Sequence, residues 1–262
     1  MRVALLLLVL PGAVVAQSSP LLTSSRDPAF SIEVLHPFFK DNYDRFLTSG
    51  GAIISGRLGR GSGVALLADL PLYHGRFEQF DGTETSAGVG NPYVGVQFAK
   101  PDGGARFELG ARVPLMDDRP ASGALWAART DLDRAEAFGP DLFTLWGIAQ
   151  FRSSATASAI QTSARFGFMH ARYGGTIDQT ANQMVYALTL TGRPELLVLD
   201  LGVSGRLSLE ALDAGLSAAT LHQLNASMRT RIGSIVAGTQ LRVPLDDAFN
   251  HDFSLALSFE VR

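Results

Sequence analysis

Cysteine is absent from the 262-residue sequence, and lysine occurs only as Lys40 and Lys100. Without cysteine there is no disulfide framework, no thiolate chemistry and no attachment site for a lipoprotein anchor. Long apolar runs are also missing: after the N-terminal segment, none approaches the roughly 18 to 20 residues that a membrane-spanning helix needs. The formal net charge of −3 gives no reason to expect nucleic acid as a partner. These features exclude a helical membrane protein and disfavour a nucleic-acid-binding one.

The N-terminus has the organisation of an export signal. Arg2 supplies a positive charge, residues 3–10 (VALLLLVL) form an unbroken apolar run, and a proline-glycine pair interrupts that run. Small residues follow, and a signal peptidase would cut after Ala16. A buried N-terminal strand is the alternative, but it explains neither the arginine nor the small residues. We therefore predict a signal peptide over 1–16 and a single exported domain over 17–262.

Apolar and polar residues alternate over many stretches of the chain. In FSLALSFEVR, residues 253–262, every odd-numbered residue is large and apolar, and every even-numbered one is small or polar. Successive side chains of a strand point to opposite faces, so this pattern predicts strands with one apolar and one polar face. The predicted strands cover 29–34, 46–58, 63–74, 87–99, 105–115, 141–152, 157–172, 182–191, 197–210, 221–231, 234–244 and 253–262.

The connections between these strands alternate between short and long. Outer-membrane barrels of bacteria have short periplasmic turns, longer external loops, an even number of strands and both chain ends on the periplasmic side. Assigning the short connections to the periplasm requires one strand before 46–58. The sequence AFSIEV at 29–34 supplies it and brings the count to twelve.

We predict an all-β fold: an antiparallel up-and-down transmembrane β-barrel of twelve strands, with a short helix in one external loop. A secreted β-sandwich or solenoid is the alternative, because sandwich strands also alternate. The barrel is favoured because the apolar face is unusually continuous, whereas the polar face is rich in Gly, Ser, Thr, Gln and Arg, as a narrow aqueous lumen would be. A closed sheet is also the only β structure whose backbone is fully hydrogen-bonded in lipid. The predicted location is the bacterial outer membrane.

The alternation also predicts which charged side chains point into the lumen, and arginines outnumber acids among them. One interpretation is a ladder of cross-strand ion pairs that fills the lumen, since unpaired charge in a confined space is costly. The other is a positively biased pore that favours anionic solutes. The predicted lumen-lining residues are Arg57, Asp69, Arg106, Glu108, Arg112, Arg165, Asp200, Arg206, Arg229, Arg231, Arg242 and Glu260, and Arg152 and Glu210 share their pattern.

The connection at 117–140, DDRPASGALWAARTDLDRAEAFGP, differs from the others because it is rich in helix formers. Apolar residues recur every three or four positions over 121–138, which predicts a helix that covers the external mouth. Two roles are open for this helix. It could act as a lid or constriction, or it could lie at the membrane interface with no part in transport.

Catalytic residues are poorly supported. The stretch at 246–253 gathers Asp246, Asp247, His251 and Asp252, which could form the acid-histidine pair of a membrane-embedded hydrolase. Such a cluster is more often a solvated loop. The sequence has no nucleophile elbow, no phosphate-binding loop and no metal-ligand spacing, so we predict no enzyme activity, no metal and no cofactor.

Residues 88–115, GVGNPYVGVQFAKPDGGARFELGARVPL, contain a glycine-rich start, a strand, a glycine turn and a strand that ends on a proline. ADLPLY at 68–73 and LRVPLDD at 241–247 repeat the strand-ending proline. These motifs resemble the β-hairpin repeats of the outer-membrane family linked to meta-pathway phenol degradation and of related barrels. The resemblance implies a twelve-stranded outer-membrane barrel that assists the uptake of small, often hydrophobic solutes, and it assigns no site residue.

The sequence therefore leads us to expect an outer-membrane channel or facilitator for a small solute. Its partners would be the lipid of the outer membrane, the barrel-assembly machinery during insertion and the solute, with no nucleic acid. Two alternatives stay open. One is a structural or partner-binding barrel whose lumen is filled by side chains, and the other is a membrane-embedded hydrolase.

Overall fold

The computed structural model describes most of the chain after its N-terminal segment. The predicted signal peptide lies outside the described residues. Those residues are 30–38, 49–59, 63–79, 82–100, 104–116, 122–153, 160–174, 179–193, 197–246 and 253–261.

Antiparallel strands in chain order make up nearly the whole fold. Apart from β4 and β5, consecutive strands pair with each other, as expected for a chain that turns back through hairpins. The strands are β1 Phe30–Phe38, β2 Gly50–Leu58, β3 Gly63–Gln79, β4 Gly82–Val89, β5 Tyr93–Ala99, β6 Ala105–Arg112, β7 Leu142–Arg152, β8 Ile160–Tyr173, β9 Gln179–Gly192, β10 Leu197–Ser208, β11 Thr220–Ile232, β12 Ile235–Pro244 and β13 Phe253–Val261.

The sheet closes on itself. β1 pairs with the last strand, β13, from Phe30 opposite Val261 to Phe38 opposite Phe253, and it pairs with β2 along its other edge. The predicted twelve-stranded antiparallel barrel is thereby confirmed. The strand inferred from the even-number argument exists, and it is longer than the predicted 29–34. β1 is paired along both edges, so backbone groups around the closed wall find partners in neighbouring strands.

Thirteen strands fill twelve positions in the wall because β4 and β5 share one position. β4 pairs with the later part of β3, and β5 pairs with its earlier part. The predicted strand at 87–99 is interrupted at Gly90 to Pro92, where Pro92 has no N–H to donate to a ladder. The N–H groups of Gly90 and Asn91 donate instead to Pro71 O and Ala137 O, at 2.8 and 2.7 Å.

The two faces of the wall have the opposite polarity to those of a soluble protein. On β1, Ser31 and Glu33 are buried, whereas Phe30, Ile32 and Val34 are exposed. The same inversion holds around the barrel, with exposed leucine, valine and phenylalanine on nearly every strand. An apolar outside and a polar inside are what a barrel in a bilayer requires.

The two ends of the barrel differ. We call the end that holds the connections after β2, β5, β7, β9 and β11 the short-turn end. The tightest of these turns joins β11 to β12 at Gly233, whose φ of 63° lies in the left-handed region that glycine adopts without strain. The opposite end, which holds the connection from β6 to β7, is the long-loop end.

The connection from β6 to β7 contains an α-helix, α1, over Ser122–Thr130, followed by a 3₁₀ helix over Leu132–Phe138. Two short helical turns, at Leu212–Ala214 and Leu216–Ala219, lie between β10 and β11. None of the helices in the described ranges is long and apolar enough to cross a membrane.

Residues 122–138, which we call the loop segment, lie inside the barrel. α1 packs against β1, β2, β3, β4 and β13, and the 3₁₀ helix reaches β3, β10 and β11. Ala127, Ala137 and Phe138 form an apolar cluster with the inward residues Leu35 and Ile53. The helix predicted over 121–138 is therefore present in two pieces. The prediction that it lies at the membrane interface is wrong, because its charged residues find partners on the inner wall.

Candidate functional site in the barrel lumen

Arg134 joins the loop segment to β1. Its side chain is 1 % exposed, its Nη2 lies 2.6 Å from Glu33 Oε2, and its Nε lies 2.6 Å from Asp131 Oδ2. Arg242 on β12 completes the group: its Nη2 also donates to Glu33 Oε1 and lies 3.6 Å from Asp131 Oδ2. We call Glu33, Asp131, Arg134 and Arg242 the Glu33 network. It holds two cations and two anions, so its charges balance.

Burying four charges is costly, and the network offsets that cost only while all its partners are present. Burial lowers the pKa of the Arg134 guanidinium, but the charges of Glu33 and Asp131 raise it above its ordinary value. Burial similarly raises the pKa of Asp131, but Arg242 and Arg134 bring it down to about 2. Both groups are therefore ionised near neutral pH.

Glu136 forms a second bridge, between two other parts of the wall. Its Oε2 accepts from Arg206 Nη2 of β10 at 2.7 Å, and its Oε1 accepts from Arg112 Nε of β6 at 3.4 Å. Arg112 Nη1 also donates to Asn91 O at 3.1 Å, and Arg112 Nη2 lies 3.8 Å from Asp69 Oδ2. One carboxylate of the loop segment thus contacts β6 and β10, while Arg134 contacts β1. The segment therefore crosses the lumen.

Asn91, in the interruption between β4 and β5, clamps the beginning and the end of the connection. Its Nδ2 donates to Gly139 O at 2.6 Å and to Glu136 O at 3.2 Å. Its Oδ1 accepts from the backbone N–H groups of Leu115 and Met116, at 3.0 and 3.3 Å. The break in the strand therefore frees a side chain that fixes where the chain leaves and re-enters the wall.

Asp133 is a buried carboxyl of the loop segment whose surroundings favour its neutral form. Its Oδ2 accepts from Ser204 Oγ on β10 at 2.8 Å. Burial raises the pKa of this carboxyl, and the charge of Asp131 raises it further, to about 7, against the opposing effect of Arg206. Asp133 therefore changes its charge near neutral pH, in contrast to Asp131.

A separate ion-pair cluster lies on β10, β11 and β13. Arg229 Nη2 lies 2.6 Å from Asp200 Oδ2, and Arg229 Nη1 lies 3.6 Å from Glu260 Oε1. Asp200 also accepts from Thr191 Oγ1 and Ser227 Oγ, both at 2.7 Å. The partners named here all belong to strands of the wall.

The predicted lumen-lining residues differ in their contacts and in their exposure. Arg112, Arg206 and Arg242 hold the loop segment, and Asp69 lies beside Arg112. Glu108 accepts from the hydroxyl of the buried Tyr93 at 2.6 Å, and that ring fits because Gly110 leaves room for it. The inward residues with low exposure are Arg57, Glu108, Arg112, Arg165, Asp200, Arg206, Arg229, Arg242 and Glu260, whereas Asp69 and Arg106 are half-buried.

Two residues of the alternation pattern lie elsewhere. Arg231, close to the end of β11, is exposed, and its Nε donates to Gly233 O at 3.0 Å. The inward placement of Glu210 is wrong: β10 ends at Ser208, and Glu210 Oε1 accepts from the backbone N–H of Asn182 at 2.7 Å on the outside of the barrel. Alternation ceases to predict orientation where the strand stops.

Of the residues considered for catalysis, the structure describes Asp246. His251, Asp247 and Asp252 lie outside the described residues. Asp246 accepts from the backbone N–H of His222 and lies 3.4 Å from its Nδ1, on the outer face near the long-loop end. Within the described ranges, no group of three or more histidines or acids is placed to hold a metal ion.

Sequence reasoning missed the residues of the loop segment that bind the wall. Glu33 was visible as a polar residue inside an alternating strand. Asp131, Asp133, Arg134 and Glu136 were visible only as an unusual density of charge within DLDRAEAF, residues 131–138. A connection that carries charges of both signs at nearly every second position is the signal that could have indicated ion pairs between this loop and the barrel wall.

Two solved structures share this fold in full length. An outer membrane channel of the COG4313 group from Pseudomonas putida F1 is 10 % identical over 96 % of this chain and 96 % of that chain, with a TM-score of 0.56. The NanC porin is 8 % identical over 89 % of this chain and 100 % of that chain, with a TM-score of 0.53. No protein-family model and no curated protein sequence matches the chain.

These similarities concern the fold, which belongs to the class of closed twelve-stranded antiparallel β-barrels. By name, one of these neighbours is a porin and the other is an outer membrane channel. The narrower resemblance to the phenol-degradation family stays a prediction, since no family model matches.

Proposed function

We propose that the protein is an outer-membrane channel for a small solute and that its loop segment closes the passage at rest. Support for the membrane comes from the inverted wall, with polar side chains buried inside and large apolar side chains exposed outside. Exposing such a surface to water would be costly, and lipid removes that cost. The two full-length fold neighbours are named as a porin and a channel.

The observation that carries the closed state is the path of the loop segment across the lumen. Glu136 bonds Arg112 on β6 and Arg206 on β10, while Arg134 bonds Glu33 on β1. These three strands lie in different parts of the wall. Side-chain contacts hold the segment together with the backbone bond from Asn91 N–H to Ala137 O, which lies outside the strand ladders. The segment enters from the long-loop end, so it can leave without breaking a strand pairing.

A barrel with a permanently filled lumen is the second candidate, and the same ion pairs favour it. Buried, fully partnered charges rigidify a structure when every member is satisfied. In this version the segment stiffens the barrel, and the outside loops meet a partner. The two candidates differ in whether the loop segment can leave the lumen.

Planar-bilayer recordings test the proposal. The full chain should show low conductance interrupted by openings, and a variant in which a short Gly-Ser linker replaces residues 122–138 should show a larger and steadier conductance. Heat-modifiable migration on gels checks that both barrels are folded. A folded deletion variant without conductance would overturn the channel proposal in favour of the filled barrel.

A further inference from the structure

The carboxylate of Glu136 lies between two arginines of the wall, near the long-loop end. Its Oε2 accepts from Arg206 Nη2 at 2.7 Å, and its Oε1 lies 3.4 Å from Arg112 Nε, so each oxygen meets a different guanidinium group. Arg112 is the last residue of β6, and Arg206 lies two residues before the end of β10. Both strands end on the side from which the loop segment enters the lumen.

Release of the loop segment would leave these two arginines unequally partnered. Arg112 keeps the wall carboxylate of Asp69, whose Oδ2 lies 3.8 Å from its Nη2. Among the residues that the structure describes, the carboxylate that pairs with Arg206 belongs to Glu136. A cation in a confined space that loses its partner is costly. The lumen without the segment therefore favours an anion beside Arg206.

An aromatic ring lies beside each of the two guanidinium groups. The guanidinium carbon of Arg112 lies 5.5 Å from the centre of the Tyr93 ring, and that of Arg206 lies 5.6 Å from the centre of the Trp146 ring. The face of an aromatic ring attracts a cation electrostatically. Tyr93 and Trp146 belong to strands of the wall, so these contacts can hold the arginines in position after Glu136 has left.

The group that occupies this position at rest defines the chemistry of a ligand that could replace it. A carboxylate has two oxygens in one plane, which match the forked donors of a guanidinium group. Glu136 leaves one donor of Arg206 unused, because the buried Nε donates to no group in the described part of the chain. Glu136 itself is buried, so a second carboxylate fits only after the first has moved away.

We propose that the solute is a small organic acid whose carboxylate replaces Glu136 between Arg112 and Arg206 when the loop segment leaves the lumen. Because such an acid binds only the released form, it shifts the population towards that form and promotes the opening of its own passage. The fraction of molecules that stay closed lowers its apparent affinity. This assignment rests on the proposed channel function, and it adds the class of the solute and the cause of opening.

Amide hydrogen exchange of Leu132–Phe138 tests the replacement in the refolded full chain in detergent. Butyrate reproduces a glutamate side chain from Cα to the carboxylate. It should accelerate exchange in the segment several-fold more than sodium chloride does at the same ionic strength. Butyramide, which has a similar shape and no charge, should have no effect. Inorganic phosphate at equal ionic strength should need at least a tenfold higher concentration, because its oxygens are not in one plane.

Three variants at the site and one outside it show whether the two arginines carry the effect. Arg206→Gln should abolish the response to butyrate, and Arg206→Lys, which keeps the charge and loses the fork, should give an intermediate response. Glu136→Gln removes the competing carboxylate, so butyrate should act at a concentration at least tenfold lower than in the parent. Arg193→Gln changes an exposed arginine and is the matched control, which should respond as the parent does. Heat-modifiable migration on gels establishes which variants are folded.

Equal effects of butyrate and butyramide on the parent would overturn the site, as would equal responses of the parent and Arg206→Lys. Equal effects of butyrate and phosphate would overturn the assignment to a carboxylate. Planar-bilayer recordings separate this site from the channel itself. Openings whose frequency ignores butyrate, together with unchanged exchange, would overturn the site and leave the channel standing. Accelerated exchange without conductance would count against the channel and leave the carboxylate site standing.

Discussion

At the scale of single residues, Arg134 matters most, because it carries the ionic link between the loop segment and β1. Arg134→Ala leaves Glu33 and Asp131 with Arg242 as their shared cation among the members of the Glu33 network. Removing one partner of a buried ion pair typically costs about 3 to 5 kcal/mol. We expect faster amide hydrogen exchange throughout Leu132–Phe138.

Two further variants separate this ionic effect from general damage. Arg193→Ala removes an exposed arginine that donates to Gln161, and it should leave exchange in the loop segment unchanged. Adding Glu33→Gln to Arg134→Ala should restore part of the protection, because it removes a buried charge that lost its partner. Unchanged exchange in Arg134→Ala would show that the ion pair does not hold the segment.

At the scale of elements, the strands could be predicted and the position of the loop segment could not. A strand shows its two faces in a local period of two, so FSLALSFEVR was enough to predict β13 and its apolar face. The position of the loop segment inside the barrel depends on partners that are distant from it in sequence. Arg134 and Glu33 are 101 residues apart, and Glu136 and Arg206 are 70 residues apart. No local pattern records such a pairing.

A similar limit applies to the predicted lumen-lining residues: their direction could be predicted from the sequence, but their partners could not. Alternation predicted that Arg112, Arg206 and Arg242 point inward, and in the structure all three are buried and contact carboxylates. It could not indicate that their carboxylate partners come from a loop as well as from the wall. An interpretation as a ladder of cross-strand pairs therefore describes Arg229 and Asp200 better than it describes these three.

The stability of the seated loop segment should depend on pH through Asp133. Burial and the neighbouring Asp131 raise the pKa of Asp133 from 3.8 to about 7. The seated segment thus holds this proton more tightly than a released one, so the stability of the seated segment falls as pH rises from about 4 to about 7 and stays at its lower level above 7. Asp131, with its pKa lowered to about 2, weakens the seat only between about pH 4 and 2.

Asp133→Asn should therefore flatten the neutral part of this profile. In the parent, protection of the 3₁₀ helix amides, corrected for intrinsic exchange, should be lower at pH 8.5 than at pH 6. In Asp133→Asn it should be the same at both, because the amide does not ionise and still accepts from Ser204. Asp213→Asn, which changes an exposed carboxyl, should keep the parental profile. A parent with pH-independent protection over this range would contradict the assignment.

At the scale of the whole molecule, the question is whether the barrel conducts only when the loop segment leaves the lumen. The chain has no cysteine, so an introduced pair can form only one intramolecular disulfide. Asp133 Oδ2 and Ser204 Oγ lie 2.8 Å apart, which brings the ends of these two side chains into contact. In the double variant Asp133→Cys with Ser204→Cys, oxidation should fix the 3₁₀ helix to β10.

The oxidised protein should show no openings in planar bilayers, and adding dithiothreitol should restore them, because reduction frees the segment while the strand pairings stay intact. Ser204→Cys alone is the matched control and should not respond to reductant. Mass spectrometry before and after reduction establishes that the disulfide formed. Openings of equal size and frequency in the oxidised and reduced double variant would mean that solute passes a seated segment, and the segment would then be a wall of the channel and not its gate.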